Sequence, residues 1–241
     1  AREPAQLEGS KAYAKGLMLR YGIPTGHFAV FSSLDAARHY VRAHFGENQD
    51  SPLVVKADGE AAGKGVFICP TELEAQDALS KLMESRVFGA SGDTIVIEEF
   101  LEGEEASLMA FTDGTTIVPM LAVQDHKRAL DNDFGPNTGG MGCYAPVPLL
   151  DPSLHARAVD LIIKPAVDAI RSTGIPYKGV IYAGLMITTD GQIKTLEFNC
   201  RFGDPETQVV LPLLETDLVD ILLGVTDAHL DEVQVKWKNQ D

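Results

Sequence analysis

In the run Thr195-Leu196-Glu197-Phe198-Asn199-Cys200-Arg201-Phe202-Gly203-Asp204-Pro205-Glu206, polar Glu197, Asn199 and Arg201 alternate with apolar Leu196 and Phe198. The alternation reads as a strand, and side chains two apart on a strand share a face. One carboxylate, one amide oxygen and one guanidinium then project together. A hard cation such as Mg²⁺ takes oxygen ligands, usually one or two carboxylates plus substrate phosphates. The planar donor fork of arginine suits phosphate or carboxylate. Asp204 and Glu206 add acid where the strand ends. By itself the stretch fits a metal–phosphate site and the solvent face of an amphipathic strand about equally.

Four further stretches bear on chemistry. Ala57-Asp58-Gly59-Glu60-Ala61-Ala62-Gly63-Lys64-Gly65 follows the apolar run Leu53-Val54-Val55-Lys56. Small residues let backbone N–H groups approach phosphate oxygens, and Lys64 adds charge. It is not a Walker A loop, since no Ser or Thr follows Lys64 and a strand comes next. A flexible hairpin tip is the equal alternative. Lys56, at the end of a buried-type strand, says more: such a lysine needs an anion, and phosphate is a natural one. Glu98-Glu99-Phe100-Leu101-Glu102-Gly103-Glu104-Glu105 reads by default as a solvated acidic turn. Against that stand Phe100 and Leu101, placed where a strand hands over to a loop. Such a hinge offers backbone groups to a purine ring, and a nearby carboxylate offers an acceptor to its amine or to ribose hydroxyls. Gly135-Pro136-Asn137-Thr138-Gly139-Gly140-Met141-Gly142 reads as linker or, preceded by Gln124-Asp125-His126-Lys127-Arg128, as a loop for a small molecule. His126 has no partner at zinc-ligand spacing and no nucleophile motif for a triad.

The elements that position these residues follow from periodicity. Ser10 caps a helix with Ala14, Leu17, Met18 and Tyr21 on one side, stopped by Gly22 and Pro24. Residues 27–31 form a short strand, Leu34, Ala37, Val41 and Phe45 mark a helix, and 46–52 reads as a loop or linker. Strands at 53–56 and 66–69 flank the Gly-rich loop. Thr71 and Glu74 form a capping box for a helix lined by Ala75, Ala78, Leu79 and Leu82. With a strand at 94–98, residues 53–98 read as a β-loop-β-α-β unit. Strands at 106–111 and 116–121 pair across a turn containing Asp113-Gly114. From 129 to 148 the chain reads as irregular, and spans that long are usually functional or disordered. Asp151-Pro152 opens a helix that Pro165 should kink. Strands at 180–188 and 192–198 form a hairpin, Asp204-Pro205 opens the next helix, and a last helix over 217–223 ends at Gly224. The polar tail, 231–241, has no evident closing element.

Bulk properties narrow the classes. A chain of 241 residues with 45% hydrophobic content has enough apolar surface for one large or two modest cores. Net charge is −15 and the sequence pI about 4.7, which argues against a general nucleic-acid binder. Cys69, Cys143 and Cys200 are isolated, so neither a zinc site nor a disulfide framework is indicated. With no spanning apolar run and no signal-peptide pattern, the expected location is cytoplasmic.

Taken together, these pieces resemble the ATP-grasp superfamily and, more closely, its phosphoribosylamine–glycine ligase (glycinamide ribonucleotide synthetase) family. The stretches that carry the resemblance are Gly9-Ser10-Lys11, 54–65, 97–105, Gln124-Asp125-His126-Lys127-Arg128, 135–142, 182–186 and 196–208, in the family's order. The resemblance implies an α/β (α+β) ATP-grasp fold of two subdomains with antiparallel or mixed sheets and a mobile lid. Its division would be 1–50 as the N-terminal segment, 51–98 as the lid and 99–241 as the subdomain with the metal and substrate site. The family's usual chain has further domains on both sides, so the match covers the ATP-grasp core. The implied cofactors are ATP and Mg²⁺ (or Mn²⁺).

The resemblance also implies residue roles. Lys11 and Lys56 would contact ATP phosphates, with Gly63, Lys64 and Gly65 in the loop that closes over them. Glu98 would accept from the adenine amine, with Glu99 beside it and the backbone of Phe100 and Leu101 reading the ring edge. Glu105 would hold the ribose. Glu197 and Asn199 would hold the metal, and Arg201 would steady the transferred phosphoryl group. Lys127, Arg128, Thr138, Gly139, Gly140, Met141 and Gly142, with Gly203, Asp204, Pro205 and Glu206, would face the substrates. Glu60 stands where the family usually has leucine and adds negative charge to the phosphate loop. The implied reaction joins glycine to 5-phosphoribosylamine through glycyl phosphate, giving glycinamide ribonucleotide, ADP and phosphate in purine synthesis. The alternative is a shortened core that binds Mg·ATP with little turnover. Glycine and 5-phosphoribosylamine are the implied partners, without nucleic acid or membrane. Flanking domains or another chain would complete the molecule.

Overall fold

Short-range signals nucleate most of the elements. The Thr71 hydroxyl accepts from the Glu74 N–H while the Glu74 carboxylate accepts from the Thr71 N–H, so the expected capping box is formed. Ser33 caps the preceding helix in the same way, accepting from the Ala36 N–H. Gly22 closes an earlier helix with φ +66°, a left-handed conformation that glycine adopts at low cost. The computed structural model describes residues 4–59, 65–131 and 134–238, without the side chains at 127, 128, 134, 136, 137 and 139.

The chain divides into two units, one of residues 6–16 and 25–102, the other of 1–5, 17–24 and 103–241. This groups the strand and helix before residue 50 with the 53–98 segment, unlike the three-part division drawn from the sequence. The elements of the first unit are α1 (Gln6–Gly9), the start of α2 (Lys11–Tyr21), β1 (Phe28–Phe31), α3 (Leu34–Glu47), β2 (Leu53–Ala57), β3 (Val66–Cys69), α4 (Glu72–Leu79) and β4 (Ile95–Glu99). Its strands form one antiparallel sheet in the order β1-β4-β2-β3. Alternation decides which side of this sheet is core. Leu53, Val55, Ala57, Ile95 and Ile97 are buried together with Ala37, Val41 and Phe45 of α3 and Ala75, Ala78 and Leu79 of α4. Val54, Lys56, Val96 and Glu98 therefore point to the opposite face.

The second unit contains β5 (Gly103–Thr112), β6 (Ile117–Pro119), β7 (Gln124–Leu130), β8 (Phe134–Tyr144), α5 (Pro152–Ala158), α6 (Lys164–Arg171), β9 (Gly179–Thr188), β10 (Ile193–Asn199), α7 (Glu206–Val210) and α8 (Leu218–Asp227). Its main sheet runs β10-β9-β5-β6, and every strand pairing among the described residues is antiparallel. Met109, Phe111, Val180 and Tyr182 pack with Val210 of α7 and Ile221 and Val225 of α8. Ahead of Pro165 the helix widens into a π-type turn over Val159–Ile163, which accommodates the backbone hydrogen bond that proline, lacking an N–H, does not donate.

Three expectations are corrected. The span from 129 to 148 is not wholly irregular, because β7 and β8 pair as a two-stranded ribbon. Neither polar β7 nor Gly-rich β8 has a hydrophobic alternation, so backbone pairing had no side-chain signal. The last helix runs past Gly224 to Asp227 and closes at Ala228 in the left-handed region. Gly224 is a packing glycine: a Cβ there would lie 2.7 Å from Val233 Cγ2. The polar tail pairs with 213–215, through Glu215 N–H to Lys236 O (3.0 Å) and Lys238 N–H to Leu213 O (2.8 Å).

Candidate functional site

In the first unit, strand register creates a charged cluster. Lys56 lies opposite Val96 across β2 and β4, so Glu98, two residues along, shares its face as a diagonal neighbour. Lys56 Nζ reaches Glu98 Oε1 at 2.9 Å, and Lys15 of α2 reaches Glu98 Oε2 at 2.7 Å. Lys15 Nζ also donates to Thr25 Oγ1 at 2.7 Å. Side-chain exposure is 2% for Lys15, 4% for Glu98 and 11% for Lys56, so only Lys56 keeps an opening outward. Burial alone would raise the Glu98 pKa, but the Lys56 and Lys15 ammonium groups outweigh it and hold the carboxyl below its usual value.

This bears directly on two expectations. The anion that Lys56 needs is, in the first instance, Glu98. Each Glu98 oxygen lies within ion-pair distance of a lysine, and a carboxylate keeps further acceptor sites beside such pairs. The neighbouring backbone is partly committed too: Glu99 N–H donates to His27 O (2.9 Å) and Phe100 N–H to Pro52 O (3.3 Å). Glu99 Oε1 accepts from the His27 N–H (3.0 Å). Leu101 is half-buried, and Phe100 is exposed at the strand end.

The start of α2 is tied to the start of the Gly-rich loop. The Asp58 carboxylate accepts from the Ser10 hydroxyl (3.0 and 3.1 Å) and from the Ala12 N–H (2.6 Å). Lys11 N–H donates to Asp58 O (3.1 Å), and Lys11 Nζ to Gly59 O (3.3 Å). A side chain at Gly59 would collide with Ser91, 2.6 Å from its Oγ. The expected phosphate lysine Lys11 thus sits where the loop leaves β2. Gly63 and Lys64 lie outside the described residues, and Gly65 begins the return to β3.

In the second unit, β10 carries the expected acid and amide, Glu197 and Asn199, while Arg201 lies in a bend two residues past the strand's end. Asn199 Nδ2 donates to Glu197 Oε1 (3.4 Å), and Arg201 Nη2 donates to Asn199 Oδ1 (3.3 Å). Arg201 Nη1 also donates to Phe202 O (3.0 Å). The register sets Glu197 opposite Gly184 and Asn199 opposite Tyr182, with Ser107 and Met109 next across the sheet. Glu105 pairs with Met186 and falls on the same face, so Glu105, Glu197 and Asn199 share one side of the β10-β9-β5 sheet. Gly184 adds no side chain beside Glu197. The donor set, a carboxylate and an amide oxygen on adjacent same-face positions, fits a hard divalent cation completed by phosphate oxygens.

Glu206, expected to face the substrates, points inward. It is buried at 2% exposure, and its Oε1 accepts from the Tyr182 hydroxyl (2.6 Å) and the Ser107 hydroxyl (3.1 Å). Those hydroxyls lie 2.7 Å apart. Burial first, then the Glu206 charge, push the Tyr182 phenol well above its ordinary value. Cys143 is pushed up to about 12 by burial and by the Glu206 and Asp125 carboxylates. Gly203 is buried against Glu206, while Asp204 is exposed and accepts from Gln208 Nε2 (2.6 Å). Pro205 packs near Gly140, where a Cβ would lie 3.2 Å from it and 2.9 Å from Asp125 Oδ1. Thr138 Oγ1 accepts from the Gly140 N–H (3.1 Å), Met141 is exposed, and Gly142 pairs with His126. His126 stacks on Tyr144. Lys127, Arg128 and Gly139 lie in the paired strands, but their side positions are outside the described residues.

Sequence reading missed Lys15, Asp58, Ser107 and Tyr182. Lys15 had a signal, standing one helical turn after Lys11. Asp58 had none, because its partner Ser10 is remote in sequence.

Two antiparallel four-stranded sheets with flanking helices, a lysine-rich face and an acid–amide strand define an ATP-grasp protein. The same fold occurs in the biotin carboxylase domain of Hydrogenobacter thermophilus 2-oxoglutarate carboxylase, solved with MgADP (TM-score 0.71, 19% identity, 92% of this chain and 46% of that one). The model of the phosphoribosylglycinamide synthetase ATP-grasp (A) domain matches residues 9–207, and the chain belongs to that family. Phosphoribosylamine–glycine ligase of Vibrio parahaemolyticus is 51% identical over 233 residues, 97% of this chain and 53% of that protein. The Xanthomonas campestris pv. campestris ligase is 50% identical over the same shares. The crystal structure of the Thermotoga maritima ligase superposes with TM-score 0.83 at 38% identity, covering 95% of this chain and 56% of that one. The chain thus spans about half the length of the curated relatives it matches. No helix among the described residues is long and apolar enough to cross a membrane.

Proposed function

We propose that this chain is the ATP-binding core of a ligase that joins glycine to 5-phosphoribosylamine in purine synthesis, in the cytoplasm. The observation that carries the reading is the Glu197–Asn199 pair on one strand face, with Arg201 hydrogen-bonded to Asn199 from just beyond the strand, within a chain of this family. A glycine carboxylate is a poor electrophile. Its oxygen attacks the γ-phosphorus of ATP and ADP leaves, giving glycyl phosphate. The amine then attacks the acyl carbon, phosphate leaves, and the amine proton is lost. Phosphoryl transfer asks the protein for positioning and charge neutralisation rather than covalent chemistry.

The roles below extend this reading, with support from the family membership and the local contacts. Lys11 and Lys56 attract the phosphates, with Lys64 and the glycines of the loop. Glu98 orients Lys56. Phe100 and Leu101 border the adenine, and Glu105 takes the ribose. Glu197 and Asn199 would hold Mg²⁺, which when bound offsets phosphate charge. Arg201 steadies the phosphoryl group. Lys127, Arg128, the 138–142 stretch and Asp204 face the substrates, while Glu206 supports that region from beneath. The share of the relatives' length covered favours a second reading, Mg·ATP binding with little turnover.

An assay of ADP release with and without each substrate separates the two. Release that requires both glycine and phosphoribosylamine supports the ligase, and Mg·ATP binding without release supports the core alone. In either case Glu197→Ala should weaken Mg·ATP relative to metal-free ATP and remove any phosphoryl transfer. Full activity in that variant would sink the metal assignment.

A further inference from the structure

We propose that Lys15 is a positioning residue that keeps Lys56 electrostatically available to an anionic ligand by sharing the charge of Glu98. This rests on the ATP reading of the same site. Glu98 has two oxygens and two ammonium partners, Lys15 at 2.7 Å and Lys56 at 2.9 Å. Paired with Lys56 alone, the carboxylate would cancel its charge, and a phosphate approaching it would meet a neutral pair. With Lys15 present, the three charges sum to +1. The burial gradient directs that charge: Lys15 is enclosed and held by Thr25, whereas Lys56 is the member that opens outward. Lys15 thus acts through Glu98 on Lys56 without touching the ligand itself. One unit charge at several ångströms in a partly buried site is enough to change anion affinity by roughly tenfold or more.

The test measures Mg·ATP and adenosine binding by titration calorimetry on the same full chain. Adenosine lacks the phosphates and reports the rest of the site. Lys15→Gln keeps a hydrogen-bonding side chain and removes the charge. It should lower the preference for Mg·ATP over adenosine by roughly tenfold, with adenosine binding held. Lys15→Met/Glu98→Gln removes one positive and one negative charge together and should regain most of that preference. Lys15→Arg should retain it. If Lys15→Gln keeps the wild-type preference, or loses both ligands equally, the inference is overturned; the Gln variant decides the matter even if the double variant does not fold. A wild-type chain that does not prefer Mg·ATP over adenosine would overturn the ATP reading itself, and this inference with it.

Discussion

Glu98 is the residue on which the lysine face depends. Its removal leaves two buried ammonium groups facing each other's charge, and breaking a buried pair by deleting one partner typically costs about 3–5 kcal/mol. Glu98→Ala should therefore lose stability of about that size in urea unfolding. The pH dependence follows from the lowered folded-state pKa of Glu98. A carboxyl held below its unfolded value contributes its full stabilisation above that unfolded value. The contribution drains away as pH falls through the lower, folded value. The stability gap between wild type and Glu98→Ala should thus be widest near neutrality and narrow below about pH 4. A gap that stays constant across that range would mean Glu98 is not the charged partner of these lysines.

At the scale of elements, the joint between α7 and β9 is built from Glu206, Tyr182 and Ser107, and Gly203 makes room for it. A Cβ at 203 would fall 2.4 Å from Glu206 Oε2 and 3.0 Å from Tyr182 Cε1. Gly203→Ala should displace the carboxylate from its hydroxyl donors and cost about 1–3 kcal/mol, as overpacking does. Gly142→Ala is the control, since a Cβ there meets nothing within 4 Å. It should change stability by no more than about 0.5 kcal/mol. Equal effects at the two glycines would show that the buried carboxylate does not lock this joint. The same joint explains why the acidic run after β10 divides in role: Asp204 is exposed, Glu206 is enclosed, and one proline separates them.

At the scale of the molecule, apolar clusters carry stability, and two of those among the described residues share no member. Ile97 belongs to the cluster beneath α3 and α4, and Ile221 to the one under β9 and β5. Both are fully buried. Ile97→Val and Ile221→Val should each cost about 0.5–1.5 kcal/mol. With no shared partners, their effects should add within about 0.5 kcal/mol in the double variant. A coupling energy well above that would mean the two cores are not energetically distinct. The net charge of −15 is a sum over the chain, whereas the Lys15–Glu98–Lys56 cluster is locally positive, and it is local charge that governs anion binding.

Periodicity, capping and turn chemistry act over a few residues, and so they were legible in the chain itself. Thr71–Glu74 announced its helix, the Asp113-Gly114 turn its hairpin, and the alternation through Glu197 and Asn199 put two polar groups on one face before any pairing was known. The motifs in order likewise identified the ATP-grasp class. What required tertiary structure was the meeting of residues remote in sequence. Lys15 joins Glu98, Ser10 joins Asp58, and Tyr182 and Ser107 join Glu206, each through register or packing that no local pattern encodes. For the same reason Glu206 read as one of the residues facing the substrates, and the β7–β8 ribbon as irregular chain. Burial belongs to the assembled sheet, and strand pairing without an apolar–polar alternation has no side-chain signature to read.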